Sequence, residues 1–150
     1  MSSFVKGPNY RTPFGRNVFL RSTQDVKTES YTVAKGSVPA VTIDGDPGQK
    51  VLQPGTVMAK ITSGPDSGKI GPHNLAATDG RQTPANIVGL CNTFLPWQLT
   101  ERDVEIAVVY ECTAVQAWCF QYTNDTTIVA ASNATADAMR GTKSLDIMFV

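Results

Sequence analysis

Three kinds of residue in this chain could carry chemistry, and their spacing argues against each. Cysteines stand at 91, 112 and 119, an odd number with no C-x-x-C pair to hold zinc or cycle a disulfide. Cys112 and Cys119 sit in apolar surroundings, where a thiol packs as a small hydrophobe. The one histidine, His73, falls in a Gly/Pro-rich loop and reads as a surface residue without an acid or base to work with. Glu101-Arg102-Asp103-Val104-Glu105 has the carboxylates of a metal site or an acid/base pair, but acids at the start of a strand read as solvated. A hydrolase using Asp66 or Asp79 at a subunit boundary would need a matched base, a metal cluster or a phosphate-cradling glycine loop. The sequence shows no such motif. The expectation is no catalytic residue, no metal and no cofactor: a protein that is not an enzyme.

Charge narrows the partners. Thirteen basic residues balance thirteen acidic ones, so no global field recruits nucleic acid or an acidic membrane. The balance is uneven along the chain, since Lys6, Arg11, Arg16, Arg21 and Lys27 face only Asp25 in residues 1–27. Five positive charges on an extended arm would give weak, salt-sensitive contact with nucleic acid at best. No apolar run approaches the roughly 18 residues that span a bilayer, and no apolar signal segment opens the chain. Direct nucleic-acid and membrane partners are therefore not expected. Asn124-Asp125-Thr126 and Asn133-Ala134-Thr135 then read as chance matches to the glycosylation pattern.

The elements that position these residues read as short strands. Nine prolines and twelve glycines break a chain of 150 residues often. Residues 1–48 read as an extended N-terminal arm, basic and studded with Phe4, Tyr10, Phe14 and Val18-Phe19-Leu20. Within it, two β-prone runs break at Lys35-Gly36, and Val38–Ile43 reads as an edge strand or an extended peptide because Pro39 removes a ladder donor, so that Tyr31–Ile43 is expected to add a strand to a partner. Asp44-Gly45-Asp46-Pro47-Gly48 is the expected boundary to a compact β domain over 49–150.

In that domain Gln53-Pro54-Gly55-Thr56 turns into a strand with Val57, Ala59 and Ile61 on one face and Met58 and Lys60 on the other. Asn86–Phe94 reads as an apolar strand in preference to a helix begun at Thr83-Pro84. Asp103–Val115 is the strongest strand, with Val104, Ile106, Val108, Tyr110 and Cys112 expected on one face. One short helix is expected within Thr127–Arg140, capped by Ser132 or an earlier Thr and ended by Gly141, with Ala134, Ala138 and Met139 buried. Leu145–Val150 closes the chain as a strand. The fold class is mainly β with one short helix.

The order of these features resembles the lambda D-like head decoration proteins of tailed bacteriophages. Leu52-Gln53-Pro54-Gly55-Thr56-Val57-Met58 is similar to that family's L-x-x-G-T-V-L segment. Asp79-Gly80 followed by Pro84-Ala85-Asn86-Ile87-Val88 is similar to its next one, and the valine-rich strand, short helix and closing strand complete the order. The resemblance implies a compact β-barrel or β-tulip-like domain that binds the outer surface of the expanded capsid as a homotrimer. Made in the host cytoplasm, it would cement neighbouring major capsid proteins against internal DNA pressure. On that reading Arg11, Phe14, Arg16, Phe19, Arg21, Tyr31, Val33 and Val41 of the arm grip the shell, and Leu95, Pro96 and Trp97 form trimer contacts. Removal of residues 1–44 would then leave the domain folded. The alternative in the same particle is a tail or head-completion protein on a similar barrel, assembled as a ring.

Overall fold

The computed structural model describes residues 19–22, 26–43, 45–140 and 145–150, with Ile43 described by its backbone alone. Strands carry the fold. In chain order they are β1 (Lys27–Val33), β2 (Val41–Ile43), β3 (Asp46–Gln49), β4 (Val57–Lys60), β5 (Ile70–Pro72) and β6 (Ile87–Cys91). They continue with β7 (Val104–Ala114), β8 (Phe120–Asn124), β9 (Thr127–Ala130), the helix α1 (Asn133–Ala138) and β10 (Asp146–Phe149).

The main sheet closes on itself. β4 pairs antiparallel with β5 and β6, β6 pairs with β7, β7 pairs with β1, and β1 returns to β5 through Val33 and Ile70. Closure brings side chains from all five strands into one interior: Val33, Ile70, Met58, Cys91, Ile106 and Val108. Val38, Leu52, Leu95 and Leu99 plug its ends from the connecting loops.

A second core lies on the outer face of β4, β6 and β7. There Val57, Ala59, Leu90 and Val109 are covered by Phe19, Met139 beyond α1, and Ile147 of β10. Alternation along β4 therefore buries both faces, Val57 and Ala59 outside and Met58 inside, and only Lys60 reaches solvent.

β7 is the longest strand and serves both cores. Ile106 and Val108 point into the barrel, yet Cys112 and Ala114 join Val109 in the outer core. The face changes because Lys27 opposes Glu111 while Thr28 opposes Val109, leaving Tyr110 as an extra residue on β7. A bulge of one residue reverses the alternation beyond it. This corrects the expectation that Cys112 shares a face with Ile106 and Val108.

Two glycines are needed where backbones meet. Gly89, at φ +145°, lies against the Val109 carbonyl, where a Cβ would collide with it. Gly55, at φ +88°, would place a Cβ 2.8 Å from the Trp118 carbonyl and 3.1 Å from Phe19 Cβ.

The helix is shorter than its pattern allowed, because Thr127–Ala130 became β9. Ser132 caps it, its Oγ accepting from the Thr135 N–H at 3.2 Å. Thr135 and Ala136 are its buried residues along with Met139 beyond it, whereas Ala134 is exposed. Gly141 lies outside the described residues. The segment before β6 holds one turn of 3-10 helix at Pro84–Asn86, and Ile87–Cys91 is a strand as expected.

The boundary at 48/49 is not a boundary of the fold. β1 pairs with β7 along its whole length, from Lys27 opposite Glu111 to Val33 opposite Val104. Phe19 is fully buried in the outer core, its carbonyl accepting from the Val115 N–H at 2.7 Å. Beyond β1, Val38 is buried, and β2 and β3 form a separate hairpin turned at Gly45. Residues 19–22 and 26–43 are therefore part of the domain, not an arm laid on it. Cutting the chain at residue 44 would delete a wall of the barrel and Phe19 from the second core. We expect that truncation to show no cooperative unfolding transition. Phe19→Ala alone should cost about 3–5 kcal/mol in denaturant unfolding; a cost under about 0.5 kcal/mol would return Phe19 to the surface.

Candidate interaction surface

The sites expected from sequence fall into three groups. Arg11, Phe14 and Arg16 lie outside the described residues. Phe19, Val33 and Leu95 are buried and cannot grip a partner: Phe19 fills the outer core, and Val33 and Leu95 fill the barrel. Tyr31 is half-buried in β1, its hydroxyl donating to Glu29 at 3.2 Å, so it too is held by the domain's own sheet. Arg21, Val41 and Trp97 are exposed, and Pro96 is half-buried. Trp97 carries Arg102 over its ring at 5.9 Å, a cation–π contact that holds the indole at the surface.

The residues with chemical potential are tied up in the fold. All three thiols are free and buried, and burial pushes Cys91 up to about 12, Cys112 to about 11 and Cys119 to about 12. They stay protonated at neutral pH and are not nucleophiles. Asp79 holds Arg81 Nε at 3.0 Å with both oxygens. Asp103 accepts from the Lys35 N–H at 2.9 Å and from Lys69 Nζ at 2.6 Å, and Asp66 accepts from the same ammonium at 3.2 Å. The Lys35 N–H bond first, and then Lys69, hold the Asp103 carboxyl below its usual range. These carboxylates staple loops to the barrel. Among the described residues, no three His, Cys, Asp or Glu side chains are grouped to hold a metal ion.

His73 corrects the surface reading. It follows β5 and is fully buried, with Nδ1 2.6 Å from the Arg81 carbonyl. A carbonyl only accepts, so Nδ1 carries the proton, and the buried Nε2 has no partner among the described residues. Burial lowers its pKa, opposed by the bond to Arg81. Its main chain plays a separate part, the His73 carbonyl accepting from the Tyr122 N–H at 3.0 Å. The Gly55 carbonyl likewise accepts from the Phe120 N–H at 3.0 Å, and the Tyr122 carbonyl accepts from the Leu75 N–H at 3.1 Å, so β8 hangs on the barrel by these main-chain bonds.

β8 carries β9, and there the apolar surface is left open. The Ala131 N–H bonds the Cys119 carbonyl, and the register runs on through Phe120 opposite Ala130, Gln121 opposite Val129 and Tyr122 opposite Ile128. Hydrogen bonding alternates along an antiparallel pair, so Val129 faces β8 and the N–H and C=O of Ile128 and Ala130 face outward. No other described segment pairs with that outer edge. All four residues of β9 are exposed, Ile128 at 47% and Val129 at 38%. Trp118, 50% exposed, stands on the turn just before β8.

Ile128, Ala130, Phe120 and Tyr122 form one side of a groove of about 330 Å³, with Val51 and Gln53 on the other. An open strand edge beside an apolar groove and an exposed tryptophan is a surface for main-chain pairing with side-chain anchors. Alternation over Thr127–Ala130 could have marked the strand, but the helix-like spacing that continues into Asn133 hid it.

No protein-family model matches the chain, and no curated protein and no solved structure matches it.

The buried imidazole makes stability depend on pH. Its folded pKa lies below the ordinary 6.5, so the unfolded chain binds the proton more readily. The contribution of neutral His73 is therefore complete above the ordinary value and is lost as pH falls from there through the lower folded value. We expect the denaturant midpoint to drop between about pH 7.5 and about pH 5.5, and His73→Gln to flatten that part of the profile. An unchanged slope in the variant would mean the ring titrates as in water.

Proposed function

We propose that this chain is a non-enzymatic structural protein of a tailed-phage virion, bound to the outer surface of the expanded capsid. It acts there as a homotrimer and cements neighbouring major capsid proteins against internal pressure. The single observation that carries the reading is β9: four exposed residues with an unpaired ladder edge, hung on a closed barrel beside Trp118. A domain with two filled cores has little internal need of such an edge, which in water is a liability unless a partner takes it up. The order of segments from Leu52 to Val150 supports the assignment to a head decoration role. In the domain those segments are the walls of the barrel and of the second core, so they account for the fold. The grip on the shell is assigned to β9 and Trp118.

This shifts the cement from the place the sequence suggested. The edge of β1 that faces β7 is not free for strand addition, since Lys27 to Val33 already pair there. An added strand from the major capsid protein along β9 uses the same physics at a free edge. Trp97 and Pro96 are left for contact between subunits.

The test is binding of purified protein to expanded, undecorated capsids, by co-sedimentation and by electron cryomicroscopy. Saturable density at local three-fold positions, with β9 against the shell, is the expected result. Trp118→Ala should weaken binding by about 30-fold or more, the loss typical of a central aromatic anchor, and Ile128→Asp should abolish it. Rings at a capsid vertex or along a tail would assign the protein to head completion or the tail. Full binding by both variants would remove β9 from the interface.

A further inference from the structure

Strand edges that stay unpaired in water are commonly blunted by charge or proline. β9 has neither, and no charged residue or proline occurs from Thr126 to Ala136. Its bonding pattern limits what can pair there. Val129 bonds toward β8, so the N–H and C=O of Ile128 and Ala130 point outward. When the edge is set antiparallel against itself about a two-fold axis at Val129, Ile128 of each copy falls opposite Ala130 of the other. Each such pair exchanges both of its N–H···O bonds. Between them, Val129 meets Val129 of the second copy in the close, non-bonded position. The outward groups are thus satisfied by the same residues on both sides, as a closed two-fold interface requires.

Side chains and charge fit the same register. Ile128 lies beside the small Ala130 of the second copy on the groove side, and two β-branched Val129 side chains pack on the opposite face. The charge nearest the edge is Asp125, in the turn before β9. Antiparallel pairing sends the Asp125 of each copy to opposite ends of the joint, about 13 Å apart or more, beyond the Debye length at physiological salt. Parallel pairing in register would set the two carboxylates side by side. Space is available too, because β8 stands between β9 and the barrel. Two copies of β8 and β9 would hold the barrel loops roughly 24 Å apart.

We propose that the free protein self-associates as a two-fold dimer through β9, joining the two hairpins into one continuous sheet. The joint is short, so the association is weak and depends on concentration. The proposal does not rest on the virion reading. A capsid strand and a second copy would compete for one edge, so the dimer would part before a capsid strand could enter.

The test is cysteine cross-linking of the full chain without capsids, by mild oxidation and non-reducing electrophoresis. The native thiols are buried and protonated and do not compete. Val129→Cys places its two Cα atoms about 4.5 Å apart across the axis, within disulfide reach. Ile128→Cys and Ala130→Cys place theirs about 9 Å apart, outside it. Val129→Cys should cross-link at least about 10-fold faster than either. Equal rates in all three variants, or no cross-linking of Val129→Cys, would overturn the proposal. Sedimentation gives a second measurement. The native sequence should be monomeric at about 1 μM and dimeric at about 1 mM. Val129→Asp sets like charges face to face and should stay monomeric throughout. A native chain still monomeric at about 1 mM would also overturn the proposal. Neither measurement involves a capsid, so this proposal and the virion reading fail separately.

Discussion

The antiparallel ladder between β1 and β7 governs this fold. Without it, β5, β4, β6 and β7 form an open curved sheet with two edges. With it, the sheet becomes a ring whose interior is sealed by side chains from every strand. The other closure, between β1 and β5, is made at Val33 and Ile70 and extended by the Ala34 N–H bonding the Ile70 carbonyl at 3.0 Å. So short a junction depends on the long one beside it.

The same strand organises the second core. The extra residue at Tyr110 turns β7 over, so its first half lines the barrel and its second half supports Phe19, Met139 and Ile147. β10 runs parallel to that second half, with Ile147 opposite Cys112. One bulge thus lets a single strand serve two hydrophobic layers. The buried thiols follow from this: Cys91 lies on the barrel side of β6, Cys112 beyond the bulge on β7, and Cys119 just before β8. They are packing residues of the two cores.

Where the two layers meet the surface, main-chain bonds take over from side-chain packing. The Gly55 and His73 carbonyls hold β8, and β8 holds β9, so the exposed hairpin inherits its position from the barrel's own loops. Gly55 does double duty, since the close approach of Trp118 and Phe19 leaves no room for a Cβ. The proposed interaction surface is therefore tied by main-chain bonds to the barrel, although its own residues are solvent-exposed. A strand held this way loses little conformational freedom when a partner strand is added.

Period-two alternation, glycine and proline punctuation and the lack of any long apolar helix made the β class legible in the sequence. The strand at Val104–Ala114, the Ser132 cap and the closing strand to Phe149 were legible too, because each rests on local pattern. The place of β1 was not. Tyr31 and Val33 look the same whether their ladder partner lies in another molecule or far along the same chain, and only the closed ring chose between these. Phe19 among basic neighbours read as a sticky anchor, and His73 among glycines and prolines as a surface residue. Both are buried by segments distant in sequence. The bulge at Tyr110 and the free edge of β9 are likewise properties of pairing. Residue order alone dictated which stretches would be extended and which faces would be apolar, since those follow from backbone preference and alternation. Which strands met, and so which apolar face was left open, emerged only on folding, because pairing depends on the sum of long-range contacts that no local pattern encodes.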